Sequence, residues 1–145
     1  MIFDHVTLIE EVGDNEKGVF FSLYHLNSDQ KCIYGYWKGQ DLGPERASRA
    51  FGALKRVLEN YKPHTMIGDT TDLISDWTYL SQEMLDQQIP FYKSQGVARL
   101  VHVYPEDEKT KLPAFIIQSE SMSLDGFTFK LFCNTEDAFN WALNR

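Results

Sequence analysis

The chain has 145 residues, of which 43% are apolar and 14% aromatic, and 14 basic against 21 acidic residues leave a net charge of −7. That size fits one domain, 1–145, with its own core, and the composition excludes disordered and fibrous classes. The acidic balance is the reverse of a nucleic-acid-binding module, and no run approaches the roughly 20 apolar residues that span a bilayer.

The N-terminal residues carry no basic leader or cleavage site, so no secretory signal is expected and the cytoplasm is the expected address. Residues 2–12 alternate in the manner of a strand. Gly13 to Gly18 form a turn signal, and residues 19–26 read as a second strand. Asn27 to Gln30 form the next turn, and residues 31–38 a third strand. Short turns imply antiparallel pairing. The period then changes. Gly43-Pro44-Glu45 is a helix start, and Ala47, Ala50, Phe51, Leu54, Leu58 and Tyr61 recur at helical spacing up to Pro63.

Thr65 to Gly68 read as a short buried strand, followed by a polar turn at Asp69-Thr70-Thr71-Asp72 and an N-cap at Ser75. Trp77, Leu80, Met84, Phe91 and Gln95 share one helical face, with Pro90 placed to kink or split that helix and Gly96 to stop it. Residues 97–104 are apolar almost throughout, as in a parallel strand covered on both faces. Residues 105–111 read as a solvated loop. Residues 113–124 fit a strand or a buried helix, and a short helix begun by Pro113 is favoured. Residues 127–133 predict a strand. A last helix capped by Asn134 or Thr135 turns Ala138, Trp141 and Ala142 inward. The expected fold is α/β: one mixed sheet, with antiparallel N-terminal strands followed by parallel crossovers, and helices packed on it.

Chemistry-bearing patterns are few. Cys32 and Cys133 each sit in an apolar run and read as buried reduced thiols. The four histidines, His5, His25, His64 and His102, have no metal-ligand spacing, and phosphate-loop, dinucleotide and nucleophile-elbow motifs are absent, so no metal or cofactor is indicated. Asp69, Thr70, Thr71 and Ser75 are the candidate phosphoacceptor and partner-binding group. They follow a strand and precede a helix, where a dipole favours added negative charge; ordinary turn and capping chemistry is the plainer reading of the same residues. His102 lies mid-strand, either as a satisfied structural histidine or as a base. Glu120, among three serines, is either a polar pocket wall or part of an exposed irregular face. With Trp37 and Trp77 these two residues make the candidate pocket. The surplus of aromatics in the antiparallel strands marks either a dimer patch or an apolar ligand pocket.

The element order is similar to the STAS-type fold of anti-sigma-factor antagonists and of related STAS-like and CRAL-TRIO-like regulatory proteins. Ile67-Gly68-Asp69-Thr70-Thr71-Asp72 resembles the family's strand ending in Asp before hydroxyl residues. Trp77, Pro90, Gly96-Val97 and the terminal Glu136-Asp137-Ala138-Phe139-Asn140-Trp141 resemble small bacterial STAS-like proteins of unknown function. The family's Asp-Ser-Ser-Gly phosphorylation motif is absent. The resemblance implies a non-catalytic regulatory or protein-interaction module, with an unidentified protein partner and a homodimer as candidate assemblies. The alternative is a small-molecule or lipid-binding protein with an aromatic-lined pocket. An enzyme would need His102 to converge with Glu120 or Asp69.

Overall fold

In the computed structural model, residues 2–14, 18–40, 42–105, 113–114 and 126–143 are described. Six strands form one sheet in sequence order: β1 (Val6–Asp14), β2 (Gly18–Leu26), β3 (Asp29–Gln40), β4 (Thr65–Ile74), β5 (Arg99–Val103) and β6 (Thr128–Phe132). The first three pair antiparallel, and β3 to β6 pair parallel. This is the mixed sheet expected from the turn lengths. Short turns suffice for the hairpins, while each parallel step needs a longer crossover connection.

Helix α1 (Pro44–Tyr61) begins at Pro44 and ends where Lys62 turns left-handed (φ 47°), with its N–H donating to the Leu58 carbonyl at 3.0 Å. Its row of Ala47, Ala50 and Ala53 lets the helix approach the sheet closely, and Leu54, Val57 and Leu58 complete the buried stripe. The second crossover is segmented. A 3-10 turn (Thr78–Leu80) leads through α2 (Ser81–Glu83) into a π turn (Met84–Gln88), and α3 (Ile89–Ser94) follows. Pro90 sits in the first turn of α3, the position that tolerates its missing N–H, so the helix is split just ahead of it. The extra residue of the π turn rotates the face. Trp77 and Leu80 are buried as expected, but burial resumes at Ile89 and Tyr92 rather than at Phe91 and Gln95.

Alternation along the central strands divides the molecule into two cores. Phe21, Leu23, Ile33, Met66 and Leu100 face α1, α2 and α3. Cys32, Tyr34, Ile67, Val101 and Val103 face the C-terminal helix α4 (Thr135–Ala142). Asn134 is the N-cap of α4, accepting the Asp137 N–H at 2.8 Å.

Four local expectations are corrected. Ile2–His5 forms a 3-10 turn rather than strand, with Phe3 laid over the rings of Tyr24 and Tyr36 and the His5 carbonyl closing on Asn27 N–H at 2.9 Å. Asp69 to Asp72 continue β4 and are no turn. Cys133 is exposed, because β6 ends at Phe132, whereas Cys32 is buried. Trp141 is half-buried, and Phe139 takes the inward place beside Ala138 and Ala142. Trp141 instead lies under Arg99 and Lys130, whose cations are 5.3 and 5.9 Å from its ring centroid. The expectation of a helix from Pro113 falls largely outside the described residues; residues 113–114 are helical.

Candidate functional site

Between the sheet and the helices α1 to α3 lies a cavity of about 80 Å³. Its walls combine Leu, Ile and Met side chains with the rings of Phe21, Trp37, Phe51, Trp77, Tyr92 and Phe129. Three of the four candidate pocket residues, Trp37, Trp77 and His102, therefore meet on one space, although they come from β3, the approach to α2, and β5. Glu120 lies outside the described residues. Trp37, Phe51 and Met84 are half-buried and bring the cavity nearest to solvent.

Part of the cavity's floor is made by what is missing. Gly35 and Gly68 pair across β3 and β4, and both line the space. A Cβ on Gly35 would stand 3.3 Å from the Phe21 ring, and one on Gly68 would stand 3.5 Å from Nδ1 of His102. Glycine inside a strand weakens the sheet and commonly marks a place where something approaches the backbone. That signal was available in the sequence, and it is the one by which these two positions could have been found.

The polar centre of the cavity is His102, 9% exposed and held between two rings, Trp77 at 5.6 Å and Phe129 at 6.4 Å. Burial lowers its pKa to about 4, so the imidazole is neutral at neutral pH. Its Nε2 is 3.1 Å from the Thr70 hydroxyl, which donates to the Val103 carbonyl at 2.9 Å. The Tyr92 phenol is held protonated by burial and by the charge of Glu83. Among the described residues no Asp, Glu, Lys or Arg lines it.

Asp69 and Asp72 lie on the other face of the sheet. Tyr34 donates to Asp69, and Tyr36 to Asp72. Asp69 also accepts from the Thr71 N–H at 2.9 Å and from the Thr71 hydroxyl. Between Tyr36 and Lys38 the pairing skips from Asp69 to Asp72, so two residues of β4 bulge where β3 supplies one. The bulge returns Asp72 to the face of Asp69 while Thr70 points to the cavity. The polar residues that read as a turn thus stay in the sheet because each finds a partner there. Burial, reinforced by Asp69, pushes the Tyr34 phenol far above its ordinary range.

The geometry separates the four candidate phosphoacceptor residues. Asp69 and Thr70 are buried, at 2% and 3% exposure. Thr71 and Ser75 are half-buried. Ser75 caps no helix; its hydroxyl accepts the Leu42 N–H at 3.0 Å, and Asp76 accepts the Thr78 N–H at 2.9 Å ahead of the 3-10 turn. Asp69 and His102 stand on opposite faces, so that catalytic pairing does not form. Among the described residues no three His, Cys, Asp or Glu side chains gather as a metal site, and no helix is long and apolar enough to cross a membrane.

No family model and no curated protein matches the chain. A solved structure does. The chain is similar to an uncharacterized protein from the DUF3478 family with a SpoIIAA-like fold, from Shewanella loihica PV-4. The TM-score is 0.52 with 14% identity, over 94% of this chain and 91% of that one. The fold is therefore SpoIIAA-like, within the STAS-like architecture that the element order implies.

Proposed function

We propose that this chain is a non-catalytic STAS-like module that acts by holding a small apolar ligand between its sheet and helices α1 to α3. One observation carries the reading: Trp37, Trp77 and His102, separated by up to 65 positions in sequence, line a single apolar cavity with no charged side chain among its described lining residues. A packed interior normally leaves few voids larger than a water molecule, and this one is floored by two strand glycines. The π turn at Met84–Gln88 borders the cavity through Met84. Single π turns recur at functional sites, and this one gives the helices a means to register occupancy for a protein partner. A phosphate switch on Thr70 is disfavoured by the burial of its hydroxyl and the two bonds it already makes.

Titration of methyl-labelled protein with xenon, a probe small enough for the cavity, tests the reading. Saturable shifts are expected at Leu54, Met66, Met84 and Leu100, which line the cavity. Gly68→Ala, whose added carbon meets only an ordinary contact at 3.5 Å, is expected to weaken binding severalfold. Xenon that moves none of these methyls would overturn the assignment.

A further inference from the structure

On the face of the sheet opposite the cavity, helix α4 packs against β4, β5 and β6 and meets β3 at Tyr34, whose ring is 5.3 Å from Phe139. From Tyr34 the same face runs outward over β3, β2 and β1 as Tyr36, Tyr24 and Leu8. Phe3 lies across it, with ring centroids 5.6 Å from Tyr24 and 5.3 Å from Tyr36. Phe3 and Leu8 are 40% and 47% exposed, and Tyr24 and Tyr36 are half-buried. Apolar surface gathered into one patch with a polar margin marks an interaction site, whereas single exposed apolar residues do not.

The margin of this patch is acidic. Glu11 stands in one cross-strand row with Ser22, Tyr36 and Asp69, and Asp72 joins that face by accepting from the Tyr36 hydroxyl. Asp69 and Asp72 are met by hydroxyl and N–H groups, which leave their charge in place. On the other face, Glu10 and Asp14 are paired with arginines of α1. Among the described residues no Lys, Arg or His forms an ion pair with Glu11, Asp69 or Asp72; Lys38, opposite Asp72 in register, is exposed and makes none with it. We propose that this face docks a basic segment of a partner protein, with Lys or Arg stems laid over Phe3, Tyr24 and Tyr36 and their charges beside Glu11 and Asp72. Such side chains cover apolar surface with their stems while the head stays in a polar setting, and aromatic faces attract the cation. The net charge of −7 steers a basic partner toward the chain. A second copy of this chain fits the face poorly, because a two-fold contact sets Glu11 and Asp72 against their own counterparts.

The test titrates the full chain with a capped tetra-arginine peptide and with capped tetra-citrulline, which keeps the shape and loses the charge, and follows both by NMR. Tetra-arginine is expected to move the Leu8 methyls and the ring resonances of Phe3, Tyr24 and Tyr36 saturably, and tetra-citrulline to leave them in place. Glu11→Gln and Asp72→Asn, at exposed positions, are each expected to weaken the peptide about threefold, the size of one exposed charge pair. Tetra-arginine shifts spread over other carboxylates with these four residues unmoved would overturn the proposal, as would equal binding of the two peptides. Sedimentation of the free chain adds a readout without a peptide: a dimer that Leu8→Glu converts to monomer would give this face to a second copy and also overturn it. None of these outcomes bears on the cavity, which lies beneath the opposite face and is read by xenon.

Discussion

Asp69 is 2% exposed, yet its two oxygens are met by the Tyr34 hydroxyl, the Thr71 N–H and the Thr71 hydroxyl. Buried polar groups persist when they are paired in this way, and the penalty falls on whichever partner is left behind. Tyr34→Phe keeps the ring packed against Phe139 and removes one donor, so it is expected to lower stability by about 1–3 kcal/mol in urea denaturation. His102 makes a second prediction at this scale. Its pKa is near 4 in the folded protein against an ordinary 6.5, because burial disfavours the charged ring. Between those values the unfolded chain binds a proton that the folded one does not. Stability from this group is therefore complete above pH 6.5 and declines as the pH falls toward 4, by about 3 kcal/mol across the window. Among the described residues no charged side chain lines the cavity to offset that decline. Denaturation at pH 7.5 and pH 4.5 checks it, with His102→Phe expected to remove this share of the pH dependence.

Among the elements, α4 and the second crossover depend on different local devices. Helix α4 has eight residues and no length to spare, so it relies on its cap and on the core it covers. Asn134→Ala is expected to cost about 1 kcal/mol, and Asn134→Ser much less, as read from thermal melts. The second crossover relies on an interruption instead. Its π turn and Pro90 shift the buried face by one residue, which brings Tyr92 to the cavity and leaves Phe91 half-buried outside its lining. A helical periodicity count carried straight through the proline chooses Phe91, because nothing in the spacing announces the inserted residue. Strand β4 is misread for a related reason. Asp is a turn residue because it bonds its own backbone two positions on. Asp69 does make that bond, to Thr71, but inside a bulge of a strand flanked by β3 and β5.

Across the whole molecule, the edge strand β1 is fastened to α1 by ion pairs. Asp14 meets Arg46 at 2.6 Å and also Arg49, and Glu10 meets Arg56 at 2.5 Å. Burial opposes ionisation of Asp14, and the arginine hydrogen bonds outweigh it, so its carboxyl titrates below the ordinary range. Its contribution is therefore present above the usual carboxylate pKa and is lost as the pH falls. Asp14→Asn is expected to destabilise the protein at low ionic strength and to matter little in high salt, because such exposed pairs are screened. Ligand linkage acts on the same global equilibrium. A cavity ligand at 100 times its Kd adds about 2.7 kcal/mol to the unfolding free energy. In a chain of this length that raises Tm by roughly 5–10 °C, which thermal melts under increasing xenon pressure measure directly.

Local chemistry alone was enough to order most of the chain. Strand-like runs between turn signals marked β2 and β3, Gly43 and Pro44 marked the start of α1, Pro90 marked the split crossover, and Asn134 marked the cap of α4. Each is a signal carried by a few neighbouring residues, so the sequence determined the elements and, through the lengths of their connections, the mixed sheet. The faces and the site were decided only by tertiary structure. Trp37, Trp77 and His102 were nameable as candidates one by one, but their common cavity exists only because β3, β4 and β5 pair in parallel register beneath α1 to α3. Asp69 and Thr70 are adjacent in sequence and serve opposite cores, because a strand turns successive side chains to opposite faces. The Thr70 hydroxyl reaches both the His102 ring, 32 positions away, and the Val103 carbonyl. No local pattern encodes it, since it depends on which backbone carbonyl the neighbouring strand brings within reach.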